Sequence, residues 1–90
     1  MRITQQQVAQ KLIDYLNHEI TLSELVDWAE LAMMEAEFEN QNFEILRDII
    51  SRLGLADVRA FGVTFEDFEG FLSRLGYNVK VKVTKKQATA

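Results

Sequence analysis

The chain of 90 residues has no cysteine, a single histidine and four glycines. Without cysteine it can form no disulfide, no thiolate metal site and no thiol nucleophile, and a reducing cytoplasmic setting is the expectation. Two of the four glycines follow helices, which leaves no glycine-rich loop to cradle a phosphate. No apolar run approaches the roughly 20 residues that cross a bilayer, and the opening MRITQQQ lacks a signal peptide's apolar stretch, so no membrane contact is expected. Basic residues are outnumbered, 10 against 14 acidic ones, for a net charge of −4. With a pI near 4.9, unspecific nucleic-acid binding is disfavoured. What remains is ordinary for a globular protein: 48% hydrophobic and 27% charged residues. That is one domain, predicted over residues 1–84, and a chain this size buries only about 60–65% of its unfolded surface.

Catalysis finds little to work with. His18 sits in Leu16-Asn17-His18-Glu19, where polar turn residues belong, and only Asp14 and Glu19 are near it in sequence. A general base needs both a reaction partner and an orienting group, so His18 reads as a surface residue. Glu35 and Glu39 share a helix face, as Glu30 and Glu37 roughly do, but without Glu-x-x-His spacing they make no di-metal site. No catalytic residue, metal or cofactor is therefore expected.

The strongest signal is a helix-start device written three times. Ile3-Thr4-Gln5-Gln6-Gln7-Val8, Ile20-Thr21-Leu22-Ser23-Glu24-Leu25 and Val63-Thr64-Phe65-Glu66-Asp67-Phe68 each place a threonine cap three residues before Gln, Glu or Asp. Each also has an apolar residue before the threonine and another at the fourth helical position, the hydrophobic staple. Stop signals repeat as well. Ser51-Arg52-Leu53-Gly54 and Ser73-Arg74-Leu75-Gly76 both predict glycine in a left-handed cap, with arginine at the negative end of the helix. Segments 43–55 and 65–77 match at six of thirteen positions, four of them the stop signal itself, so shared cap grammar explains the match better than duplication. These signals predict helices over 5–16, 22–38, 42–53 and 65–75, with a short helical turn over 56–60. The predicted core is Val8, Leu12, Leu16, Leu25, Ala29, Met33, Leu46, Ile50, Leu53, Phe61, Phe68 and Leu72. Phe65 and Phe71 also read as core filling, and Trp28 as a core-edge residue.

After Gly76 the period changes to two. Tyr77, Val79, Val81 and Val83 alternate with Asn78, Lys80, Lys82 and Thr84, which predicts a half-buried strand over 77–84 and a frayed tail over 85–90. The fold class expected is mostly α, a four-helix bundle-like single domain with one C-terminal β-strand. A lone strand leaves its ladder unpartnered. Inside the chain, Arg2-Ile3 is short and 58–65 holds the Gly62-Val63-Thr64 helix start. Pairing with a second copy across a two-fold axis, or with a partner's sheet edge, would answer this. The intramolecular alternatives are a ladder with residues 1–3 or 58–63, or an extended segment with no ladder.

Charge is unevenly spread. Residues 21–44 carry seven acids and no Lys or Arg, whereas 77–90 carry Lys80, Lys82, Lys85 and Lys86 and no acid. On the second helix, Leu31, Met34 and Phe38 fall opposite the core stripe, beside Asp27, Glu30 and Glu35. An apolar set rimmed with carboxylates suits a partner, and methionine adapts its shape to what it meets. The expected interface is thus Asp27, Glu30, Leu31, Met34, Glu35 and Phe38 with Tyr77, Val79, Val81 and Val83. A helix-turn-helix made of the last two helices is disfavoured, because Glu66, Asp67 and Glu69 would repel phosphate.

The stretch Tyr15-Leu16-Asn17-His18-Glu19-Ile20-Thr21-Leu22-Ser23-Glu24-Leu25-Val26-Asp27-Trp28 resembles the opening of small acidic helical bacterial proteins built as helix, turn, Ile-Thr or Ile-Ser, and a helix with tryptophan. Some of these are immunity proteins that neutralise a toxin domain. The resemblance spans 14 of 90 residues and implies an acidic four-helix protein that blocks a basic nuclease toxin. It carries over no site residue, and the C-terminal Val-Lys alternation departs from its pattern. The function expected is a non-enzymatic protein–protein interaction module, homodimeric through 77–84 or the second helix. The alternative is an immunity-type inhibitor that turns its acidic helix toward a basic partner.

Overall fold

The computed structural model describes residues 2–86. Its elements in chain order are β1 (Arg2–Ile3), α1 (Gln5–Leu16), α2 (Leu22–Glu35), β2 (Glu37–Phe38), α3 (Phe43–Leu53) and α4 (Phe65–Arg74). Short 3₁₀ turns at Asn40–Asn42 and Arg59–Phe61 complete the connections. The chain is mostly helical, as expected. Of the tail expected over 85–90, residues 87–90 lie outside the described residues.

All three helix starts form full capping boxes. Thr4, Thr21 and Thr64 accept from the amides of Gln7, Glu24 and Asp67 at 3.1–3.2 Å, and the three N3 side chains accept from the cap amides at 2.9–3.0 Å. The staple residues go inside: Ile3, Val8, Leu25 and Phe68 are buried, and Ile20 and Val63 pack on the same core. These contacts set both where each helix begins and which face it turns inward. Thr21→Ala and Thr64→Ala are each expected to cost about 1 kcal/mol, a fall in Tm of about 4–8 °C in thermal denaturation. A fall below ~1 °C for both would mean that the boxes contribute nothing.

The same boxes make stability depend on acid. The Thr21 amide and hydroxyl hold the Glu24 carboxyl below its ordinary range. The Thr64 amide, and after it the Thr64 hydroxyl and the Arg52 guanidinium, do the same for Asp67. Both groups titrate lower in the folded chain than in the unfolded one. Their contribution is therefore complete above the unfolded carboxylate values of about 4 and is lost as pH falls through the folded ones.

The core is one cluster around α3. Leu46, Ile49, Ile50 and Leu53 meet Leu25, Ala29 and Ala32 of α2, Val8, Ala9 and Leu12 of α1, and Phe68, Phe71 and Leu72 of α4. The alanines of α2 let it approach α3 closely, and this pair packs most extensively. Trp28 lies at the core edge with the Lys11 ammonium 5.7 Å from its ring centre. Two ion pairs tie α3 to α4, Arg74 to Asp48 at 2.6 Å and Arg52 to Asp67 at 3.4 Å.

Several expectations are corrected. The second helix does not reach residue 38. It stops at Glu35, because Ala36 turns extended (ψ 147°) and swings Phe38 back onto the core, where its ring meets Phe43 at 5.9 Å. Glu37–Phe38 then pairs in parallel with Arg2–Ile3, and the Glu39 amide donates to the Ile3 carbonyl at 3.0 Å. The sheet is thus at the N-terminus, not the C-terminus. Residues 77–86 form no strand: after the Tyr77 amide bonds to the Leu72 carbonyl, no backbone–backbone hydrogen bond among the described residues involves 78–86. The segment lies at the surface, and backbone groups that face solvent do not need a ladder.

Met33, Phe61 and Phe65 are exposed rather than core. Met33 lies in the last turn of α2, Phe61 ends the second 3₁₀ turn, and Phe65 opens α4. Leu16 is half-buried, and the other nine expected core residues are buried. Gly54 is not left-handed. At φ −63° it continues the helical sense into tight turns that tuck Ala56 inside, whereas Gly76 at φ +91° closes α4 with both Schellman bonds.

Candidate functional site

The residues expected at an interface fall in two places. The first is the solvent face of α2. Asp27, Glu30, Leu31, Met34 and Glu35 are all exposed, with Leu31 at 45% and Met34 at 81%. At about 100° per residue, Leu31 and Met34 flank the line through Asp27, with Glu30 on one rim and Glu35 on the other. The core-facing side of the same helix, Leu25, Ala29 and Ala32, is sealed, so these two faces do not share residues. Phe38 does not join this face, because it belongs to β2 and packs inward.

The second place is the extended arm, Tyr77–Lys86. Its root is held by a polar cluster at one end of the bundle. The Gln5 amide donates to Glu39 Oε1 at 3.0 Å, Asn42 Nδ2 donates to Gln5 Oε1 at 2.7 Å, and Gln5 Nε2 donates to the Leu75 carbonyl. One glutamine thus ties the start of α1 to the α2–α3 connection and to the end of α4. From Gly76 the arm runs along a groove of about 670 Å³ between α1 and α4, bordered by Ile13, Leu16, Val63, Phe65, Phe68 and Leu72. Val79 packs against the core from the arm side. The arm's grip then fails progressively, with Val81 at 65% exposed and Val83 at 90%.

The sequence does not show the groove: four of its lining residues, Leu16, Phe65, Phe68 and Leu72, read there as core. One signal was present. The apolar residues of α1, from Tyr15 through Val8, Leu12, Leu16 and Ala9 to Ile13, span an arc of about 160°, wider than its contact with α2 and α3 needs.

His18 does line the groove, yet its role is one of backbone geometry. At φ +62° it occupies the left-handed cap of α1, with its amide bonded to the Tyr15 carbonyl at 3.0 Å and the Glu19 amide to the Asp14 carbonyl at 2.8 Å. Among the described residues, no three His, Asp or Glu side chains gather as a metal-ligating group. No described helix is long and apolar enough to cross a membrane.

No protein-family model, no curated protein and no solved structure matches the chain.

Proposed function

We propose that this chain is a non-enzymatic protein–protein association module that assembles with a second copy of itself through the arm 77–84 and the solvent face of α2. The observation that carries this is apolar surface on both features: Leu31 and Met34 on α2, and Val81 and Val83 on the arm, face solvent in the single chain. Burying such side chains releases on the order of 1.5–3 kcal/mol each, which a protein of this size gains by association when its own core cannot cover them. Mass measured by light scattering should rise from the 10.4 kDa of one chain toward twice that as concentration passes through the micromolar range. A mass that stays at one chain at high micromolar concentration overturns the proposal.

A second reading draws on the same acidic face. The run of seven acids without a base in residues 21–44 favours an inhibitor of a basic protein, as the resemblance of residues 15–28 to immunity proteins implies. Co-purification of a basic partner that is lost on Glu30→Lys or Glu35→Lys would support it, whereas binding that ignores salt and survives both changes would exclude it.

A further inference from the structure

Resting on the association proposed above, we propose that in the dimer the arm of each copy lies across the acidic α2 face of the other, rather than pairing with the other arm. Two features of the chain decide between these arrangements.

The first is what arm-to-arm pairing would put together. In any antiparallel register that sets valine opposite valine, Lys80, Lys82 and Lys86 of both arms fall on one shared face. Residues 77–90 contain no acid to offset them. Like charges opposite each other on a ladder are destabilising, and every such register but the one centred on Val79, which pairs a single valine with its copy, sets lysine opposite lysine.

The second is what the α2 face offers. It presents Leu31 and Met34, exposed and apolar, between the carboxylates of Glu30 and Glu35, with Asp27 one turn before. Val81 and Val83 supply the matching apolar side, and Lys85 shares their face of the extended segment. The long stems of Lys82 and Lys86 reach around to the rims. Lys80 borders one surface cavity with Glu66 and Glu69 of its own α4, and Lys82, Lys85 and Lys86 follow it farther out along the arm.

Lengths agree as well. The six residues beyond Lys80, 81–86, reach about 20 Å when extended, and the 14 residues of α2 span about 21 Å, so the outer part of one arm matches the face in length. The arm's own groove lies between α1 and α4 and is lined by no residue of α2, so in this structure the arm does not cover its own α2. Exchange in both directions closes as a two-fold dimer with no free arm to propagate a fibre.

The test uses the full chain and two variants, Glu30→Lys/Glu35→Lys and Lys82→Glu/Lys85→Glu, all at exposed positions. Sedimentation equilibrium of the wild type should show the dimer weakening on the order of tenfold between ~50 mM and ~500 mM NaCl, because opposite charges are being screened. Each variant alone should dimerise about a hundredfold more weakly, since its arm and its α2 face now carry the same sign. Mixed together, the two should form a heterodimer near wild-type strength, because both exchanged contacts regain opposite charges. A wild-type dimer that strengthens with salt, with no recovery in the mixture, overturns arm exchange while leaving self-association intact. A wild type that stays monomeric at every salt concentration overturns the underlying association instead.

Discussion

Phe68→Ala is expected to lower the free energy of unfolding by about 3–5 kcal/mol, seen as a fall in the urea midpoint without a change in slope. A chain of this length has on the order of 5–13 kcal/mol in all, so this single truncation removes a large share of it. The ring has several separate partners. It is stacked on Tyr15 at 5.1 Å, meets Phe71 edge-on at 6.3 Å, completes the staple at the start of α4, and forms part of the groove floor beneath the arm. Little can collapse into the space it leaves, because its neighbours are fixed by helices on both sides. Phe61→Ala provides the comparison. That ring is exposed on a 3₁₀ turn, and its loss should cost no more than ~0.5 kcal/mol. Equal costs at the two positions would show that the packing of α4 against α1 is not as described.

Gly76→Ala should destabilise by about 1–2 kcal/mol, while Gly54→Ala should stabilise by about 0.5–1 kcal/mol, measured in the same denaturation series. Both glycines close an identical Ser-Arg-Leu-Gly sequence, so nothing local in the chain separates them. Space does not separate them either. A methyl group at Gly54 would meet its nearest atom, the Ile50 carbonyl oxygen, at 3.6 Å, and one at Gly76 would meet Gln5 Nε2 at 3.6 Å. The backbone angle decides: φ −63° at Gly54 suits any residue, and φ +91° at Gly76 does not. The root of the arm depends on that angle, because it turns the chain out of α4 and toward the groove. Loss at Gly54 and gain at Gly76 would reverse the assignment of the two caps.

The difference between the two glycines has a tertiary origin. After Gly54 the chain must keep Ala56 inside the bundle, and continued helical turning does this. After Gly76 it must turn out of α4 and back along the groove toward α1, which a left-handed residue achieves in one step. His18 makes the reverse point. Its sequence shows no glycine, yet the chain takes the same left-handed cap there because Ile20 has to come back to the core four residues after Leu16.

Local chemistry alone determined where α1, α2 and α4 begin, since a cap and its staple act within six residues and owe nothing to distant contacts; α3 starts at Phe43 with no side-chain cap. Local chemistry also determined which side of each helix turns inward, and the opposite signs of α2 and the arm. Only the tertiary structure decided where α2 ends, for no glycine stops it; Phe38 leaves the helix because the core has room for its ring beside Phe43. The same holds for the N-terminal bridge, in which Arg2–Ile3 finds its partner 35 residues away at Glu37–Phe38. An alternating pattern such as Tyr77–Thr84 states only that the segment can be a strand. Whether a ladder forms depends on an edge being available, and among the described residues the sheet offers strands of only two residues.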